Sequence, residues 1–64
     1  MKIEGVFYDI DWVTFPRGHS VFIPCLDTKA GKDNVYQEAQ RLEVAVFVRG
    51  ETYKSIKGLR LWRL

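Results

Sequence analysis

Hydrophobic and polar residues alternate near the start of the chain, which is the pattern of a half-buried β-strand. In Val6–Trp12 every even position is apolar, and the odd positions end in two aspartates. The predicted inner side chains are those of Val6, Tyr8, Ile10 and Trp12. A second strand is predicted over Ser20–Ile23, which is rich in β-branched and aromatic residues and stops at Pro24. Between the two strands, Phe15–Gly18 has the residues of a tight turn.

The middle of the chain has the pattern of one short amphipathic helix. Asn34 and Gln37 have the spacing of a capping box, in which each side chain binds a free amide at the helix start. The apolar positions that then share one face at helical spacing are Val35, Ala39 and Leu42. The preceding segment, Asp27–Lys32, is predicted to be a loop.

The strongest strand signals lie towards the end of the chain, in Val44–Arg49 and Leu59–Leu64. Gly50 and Gly58 bracket the segment between them, which favours a wide hairpin. Alternation places the aliphatic residues of both strands on one face. The opposite face then carries Phe47, Arg49, Arg60 and Trp62. The predicted order is β-β-α-β-β, so we expect an α+β fold with one short helix packed on a three- to four-stranded, mostly antiparallel sheet.

Length and composition indicate a single small globular domain over residues 1–64. The hydrophobic fraction of 47% and the charged fraction of 28% are those of a folded protein. A chain this short buries only about 60% of the surface that it exposes when unfolded, so its stability is modest. Formation of a homodimer is one way to bury more surface.

Cysteine content and hydropathy favour a soluble, intracellular protein. Cys25 is the only cysteine, so no internal disulfide can form, and a reducing compartment fits best. No apolar run approaches the ~20 residues that span a bilayer, and residues 1–5 lack the order of a signal peptide. We therefore expect no membrane partner.

The residues that could support catalysis or metal binding are few and scattered. His19, Cys25 and Asp27 are too few for a zinc site, which normally needs four ligands. Asp9 and Asp11 share one face of the first predicted strand, but two carboxylates alone do not hold a cation. A glycine-rich phosphate loop and a serine elbow are also lacking. We expect no enzyme activity, no metal and no cofactor.

The charges are unevenly distributed, although the net charge is only +2. The C-terminal quarter is basic and contains Glu51 as its only acid. Basic groups neutralise phosphates and aromatic rings stack on bases, so this segment is a candidate nucleic-acid interface. The candidate residues are Arg49, Lys54, Lys57, Arg60, Trp62 and Arg63. The alternative is that Trp62 belongs to the core and that the arginines are solubilising charges whose stems cover apolar surface.

Two sequence motifs occur in order along the chain. The first is W-x-x-F-P-x-G-x-S-x-F-I-P over residues 12–24, and the second is G-x-R-L-W-R-L over residues 58–64. Together they resemble a group of small proteins encoded by tailed bacteriophages, which combine such a segment with a C-terminal G-x-R-(V/L)-W-R motif. The resemblance implies a phage origin, a βαββ core and a location in the host cytoplasm, but no particular activity. The chain departs from the pattern at Leu42-Glu43-Val44, where a glycine is expected after the helix.

Two classes of function are consistent with these features. The first is a small, phage-encoded, non-enzymatic protein with a nucleic-acid-binding or regulatory role, which uses its basic, aromatic C-terminal hairpin on DNA or RNA. The second is a phage accessory protein that binds and modulates a host protein. The sequence alone leaves the ligand and the oligomeric state open.

Overall fold

The computed structural model describes residues 1–12 and 14–64, and these residues form an α+β fold. The elements are β1 (Lys2–Ile3), β2 (Val6–Phe7), β3 (Ser20–Pro24), α1 (Thr28–Arg41), β4 (Val46–Tyr53) and β5 (Ile56–Arg63). Strands β1 and β2 pair as a small antiparallel hairpin. The other three strands form an antiparallel sheet in the order β3-β5-β4, and α1 packs on one face of it. The predicted fold class is therefore confirmed.

The core lies between α1 and the sheet. The central strand β5 contributes Leu59 and Leu61, both fully buried, and their neighbours in the sheet include Ile23 and Val48. Val35 faces them from the helix. Each such side chain contributes roughly 1.5–3 kcal/mol when it leaves water, so this layer accounts for much of the stability of a small domain. The predicted aliphatic face of the C-terminal strands is confirmed.

The N-terminal strand is much shorter than predicted. The strand covers only Val6–Phe7, and its partner is Lys2–Ile3 rather than the main sheet. The connecting turn is Glu4-Gly5, with φ of 49° and 81°, which is the left-handed geometry of a two-residue hairpin. The predicted inner face is wrong at Val6, which is exposed, although Trp12 is buried. The alternation of apolar and polar residues continues to Trp12 because the side chains of this irregular segment also alternate between core and solvent.

The helix begins earlier than predicted. Asp27 is its N-cap, and the Asp27 carboxylate accepts a hydrogen bond from the Ala30 amide at 3.1 Å. The loop prediction for Asp27–Lys32 is therefore wrong, and Asn34 lies inside the helix rather than at its start. Gly31, which favoured a loop, is instead a packing position: a β-carbon there would lie 2.7 Å from Cys25 Sγ.

The helix ends in a Schellman motif. The Val44 amide donates to the Ala39 carbonyl at 2.8 Å, and the Glu43 amide donates to the Gln40 carbonyl at 3.1 Å. This geometry requires a left-handed residue after the cap, and Glu43 has a φ of 58°. Glutamate thus occupies the position at which a glycine is expected. Leu42 is the C-cap and is partly exposed, so the prediction that it lies on the buried face is wrong.

The C-terminal hairpin is tight rather than wide. Strands β4 and β5 continue to a two-residue turn at Lys54-Ser55, where φ is 52° and 65°. Gly50 and Gly58 therefore lie within the strands and do not flank a loop. A β-carbon on Gly58 would clash with the Ile23 carbonyl of β3 and would lie 2.6 Å from Phe22 Cζ, so the position has no room for a side chain.

The proline-glycine turn lies one residue later than predicted. The His19 amide donates to the Pro16 carbonyl at 3.2 Å, so the turn is Pro16–His19. Gly18 is its third residue and has a φ of 83°, as a type II turn requires. The Gly18 amide also donates to the Arg63 carbonyl at 3.2 Å, which attaches the turn to the end of β5.

Candidate nucleic-acid interface

The sheet face opposite α1 carries most of the aromatic and arginine side chains of the three strands. The strand register brings them together, since Trp62 lies between Ser20 and Phe47, and Arg60 lies between Phe22 and Arg49. We call this surface the outer face. Its members include Ser20, Phe22, Phe47, Arg49, Glu51, Tyr53, Arg60 and Trp62. Among the described residues, no helix or strand packs over it.

One end of the outer face is built from Phe47, Trp62 and Arg49. The Phe47 and Trp62 rings are tilted by 36° with centroids 5.6 Å apart. The Arg49 guanidinium lies over the Trp62 ring, 5.3 Å from its centroid. Phe47 is 48% exposed and Trp62 is half-buried, so Trp62 lies on the outer face and is not part of the core cluster.

The middle of the outer face is built around Arg60. Its guanidinium lies 5.5 Å from the Phe22 ring centroid and 4.9 Å from that of Tyr53. The two rings also contact each other, with centroids 5.4 Å apart. Arg60 Nε donates to Glu51 Oε2 at 2.9 Å, and the side chain is only 18% exposed. Arg60 is therefore held on several sides.

Glu51 links the two arginines. Its Oε2 accepts from Arg60, and its Oε1 pairs with Arg49 at 3.2 Å. The hydrogen bond from Arg60 holds the pKa of Glu51 below its ordinary value, and Arg49 adds to this effect. The carboxylate is thus ionised at neutral pH and offsets one of the two arginine charges.

The remaining predicted basic residues do not join this group on one face. The alternation of β5 directs Arg63 away from the outer face, and its NH1 donates to the Trp12 carbonyl at 2.6 Å and to the Phe15 carbonyl at 3.3 Å. The same alternation places Lys57 on the helix side of β5. Lys54 lies in the hairpin turn, with Nζ 5.4 Å from the Tyr53 ring centroid. The structure thus brings together Arg49, Arg60 and Trp62, with Lys54 at the margin.

Sequence reasoning missed Phe22, Tyr53 and Glu51 as members of this surface. Phe22 alternates with the buried Ile23, so the pattern of β3 could have placed it on the outer face. Tyr53 and Glu51 fall in the segment predicted as a loop, for which the sequence predicts no strand face. Only the extension of β4 to Tyr53 puts their side chains on the same face as Arg49.

Two of the groups considered for catalysis lie in very different surroundings. His19 is exposed and Cys25 is buried. Burial raises the pKa of the Cys25 thiol, and the nearby Glu4 carboxylate raises it further, so the thiolate is disfavoured. Within residues 1–12 and 14–64, no three His, Cys, Asp or Glu side chains are grouped so that they could hold a metal ion. No helix in this part of the chain has the length and apolar character needed to cross a membrane.

Asp9 and Asp11 lie beside an open cleft and not on a strand. The cleft has a volume of about 650 Å³ and lies between the segment 9–12 and the end of α1. Its other lining residues are Ile10, Trp12, Leu42, Val44 and Arg63. Arg63 is already bonded to two backbone carbonyls there, so the cleft holds an anchored cation beside an apolar wall.

Comparisons of the chain with protein-family models, with curated proteins and with solved structures found no match. Since these comparisons suggest no function, the function is inferred from the geometry of the outer face.

Proposed function

We propose that this chain is a small, non-enzymatic protein that binds single-stranded nucleic acid on the outer face. The observation that supports this proposal is the grouping of aromatic rings and arginines on one uncovered face of the sheet. Aromatic rings stack on unpaired bases, and guanidinium groups bind phosphates. Phe47 and Arg49 are the most accessible of these groups, so they make the first contacts.

Single strands fit this surface better than a duplex does. Bases in a duplex are already stacked on each other, whereas a sheet face offers rings to bases that are free to turn outward. The Phe47–Trp62 pair lies at one end of β5, and the Phe22–Tyr53 pair lies near Gly58. Trp62 and Gly58 are about 13 Å apart along an extended strand. One strand of nucleic acid can therefore contact both aromatic pairs.

The charge of the outer face predicts modest, sequence-tolerant binding. Arg49 and Arg60 face one carboxylate, Glu51, so the net charge of the face is small and positive. Each phosphate neutralised on a single strand contributes about −0.7 to the slope of log affinity against log salt. We expect a shallow salt dependence and little preference among sequences. In keeping with the resemblance to phage proteins, such a protein acts in the cytoplasm of an infected host.

The proposal is tested by comparing two exposed phenylalanines. Phe47 lies on the outer face, whereas Phe7 lies in the N-terminal hairpin and is equally available for truncation. Binding of labelled single-stranded DNA and RNA at low salt is measured for Phe47→Ala and Phe7→Ala. Loss of one stacked base costs about 1–3 kcal/mol, so Phe47→Ala weakens binding and Phe7→Ala does not. Absence of binding by the parent protein, or equal losses in both variants, contradicts the proposal.

The alternative function is binding of a host protein by the same surface. Tryptophan, tyrosine and arginine also dominate the energetics of protein interfaces, and Glu51 offsets part of the positive charge that a nucleic acid needs. Salt-dependent retention on DNA or RNA favours the first function. A host protein recovered by pull-down, lost on Phe47→Ala and accompanied by no retention on nucleic acid, favours the alternative.

A further inference from the structure

We infer that the Glu51 carboxylate competes with a phosphate of the bound strand for the Arg49 guanidinium. The inference rests on the proposed function, since it requires a phosphate-bearing ligand on the outer face. It assigns to Glu51 a regulatory role at that site, in which a carboxylate limits the affinity and sets the salt response of binding.

The position of Glu51 carries the inference. Its two carboxylate oxygens contact different arginines, Oε2 with Arg60 at 2.9 Å and Oε1 with Arg49 at 3.2 Å. A phosphate offers the same kind of anionic oxygen to a guanidinium group. A phosphate that binds Arg49 must therefore replace Oε1 or share the guanidinium with it.

The two arginines are held very differently. Arg60 is mostly buried, lies over two aromatic rings, and also reaches Ser20 Oγ at 3.4 Å. The Arg49 side chain is 59% exposed, and its contact with Glu51 is the longer of the two. An exposed ion pair is weak because water and salt screen it. The phosphate therefore takes Arg49, while Glu51 stays with Arg60.

The Arg49 guanidinium is already positioned for this exchange. It lies over the Trp62 ring, beside the exposed Phe47. A base that stacks on Phe47 brings its own phosphate close to Arg49. Release of Arg49 from Glu51 then needs only a small rotation of an exposed side chain.

The test uses Glu51→Gln with a matched control on the helix. Glutamine keeps an oxygen that can accept from Arg60 Nε but removes the charge that attracts Arg49. The control is Glu38→Gln, which removes the same charge and also breaks an arginine pair, with Arg41 at 2.7 Å. The probe is a fluorescently labelled oligothymidylate, titrated at several salt concentrations. We expect Glu51→Gln to tighten binding by about three- to tenfold at low salt and Glu38→Gln to change it little.

A double-variant cycle identifies the arginine. If the competition is for Arg49, Glu51→Gln gains affinity in the parent but nothing in an Arg49→Gln background. The same gain in both backgrounds overturns the assignment of Arg49. Equal tightening by Glu51→Gln and Glu38→Gln overturns the inference, since the effect is then one of overall charge.

A spectroscopic measurement on the parent protein keeps the test independent of how well the variants fold. On addition of the oligothymidylate, the NMR resonances of the Glu51 carboxylate and the Arg49 guanidinium shift together, and those of Glu38 do not. A Glu51 resonance that does not respond to saturating ligand overturns the inference. If the parent binds but Glu51→Gln matches it, the inference alone fails. If neither single-stranded DNA nor RNA binds the parent, the proposed function fails and the inference fails with it.

Discussion

Glu4 and Leu26 are 22 residues apart in the chain, yet both carboxylate oxygens of Glu4 lie 2.9 Å from the Leu26 backbone amide. The Asp27 amide donates to the same carboxylate at 2.8 Å. Asp27 is the N-cap of α1, so Glu4 attaches the N-terminal hairpin to the start of the helix. Ile3, its neighbour, is fully buried in the core and secures the same attachment.

This contact predicts a pH dependence of stability. The hydrogen bonds from Asp27 and Leu26 hold the pKa of Glu4 below its ordinary value in the folded protein. The resulting stabilisation is present above the ordinary glutamate pKa and is lost as the pH falls through the lowered value. Glu4→Gln should therefore lower the melting temperature at neutral pH, and the difference from the parent should shrink in acid. Asp33→Asn, which alters an exposed carboxylate of α1, serves as control, and a pH-independent difference for Glu4→Gln contradicts the prediction.

Gly31→Ala should destabilise the fold although alanine is the better helix former. A β-carbon at this position would lie 2.7 Å from Cys25 Sγ and 3.0 Å from Leu59 Cδ1. Overpacking costs about 1–3 kcal/mol, which exceeds the roughly 1 kcal/mol that alanine gains in helix propensity. Urea unfolding measures the difference. Cys25→Ala removes the closest atom, so the double variant should be more stable than the sum of the single changes predicts. If the changes in unfolding free energy of the two single variants simply add in the double variant, the clash is relieved elsewhere.

Glu43→Gly should stabilise the protein. Glu43 has a φ of 58° in the Schellman motif, and a left-handed backbone costs a residue with a β-carbon about 1–2 kcal/mol. Glycine removes this cost, although it loses more entropy on folding, so a net gain of about 0.5–1 kcal/mol is expected. Glu43→Ala, which keeps the β-carbon, should give no such gain. Equal melting temperatures for the glycine and alanine variants would argue against a strained backbone.

Substitutions of Arg49 and of Arg63 should have different effects, the first mainly on ligand binding and the second mainly on stability. Arg63 NH1 donates to two backbone carbonyls, so Arg63→Gln should cost about 1–3 kcal/mol of stability and leave the salt dependence of binding nearly unchanged. Arg49 is exposed, so Arg49→Gln should change stability by less than about 0.5 kcal/mol. It should reduce the salt slope by about 0.7 on single strands. Thermal unfolding and binding titrations are run on the same samples. The reverse pattern would mean that the cations at the candidate interface have been assigned to the wrong roles.

Local pattern was enough to predict the class of the fold and part of the outer face. The alternation of Phe47 with Val48, and of Leu61 with Trp62, assigns these side chains to opposite faces because successive residues of a strand always point opposite ways. The same rule makes Phe47, Arg49, Arg60 and Trp62 neighbours once the two strands pair. The predicted turns and element ends were less accurate, since residues such as Gly31 and Gly58 have the same local preference in a loop as at a close packing position.

Contacts between distant segments were decided only by the tertiary structure. Whether Arg63 binds a ligand or the carbonyls of Trp12 and Phe15 depends on where the fold places those two carbonyls relative to the end of β5. Whether Glu4 is a solvated turn residue or an anchor for the helix depends on the docking of the N-terminal hairpin. The sequence by itself determined which side chains share a strand face, because that is a property of the local backbone. Packing decided which charged side chains are available to a ligand and which are bonded within the fold. A charged group binds whichever partner the fold brings within hydrogen-bonding distance.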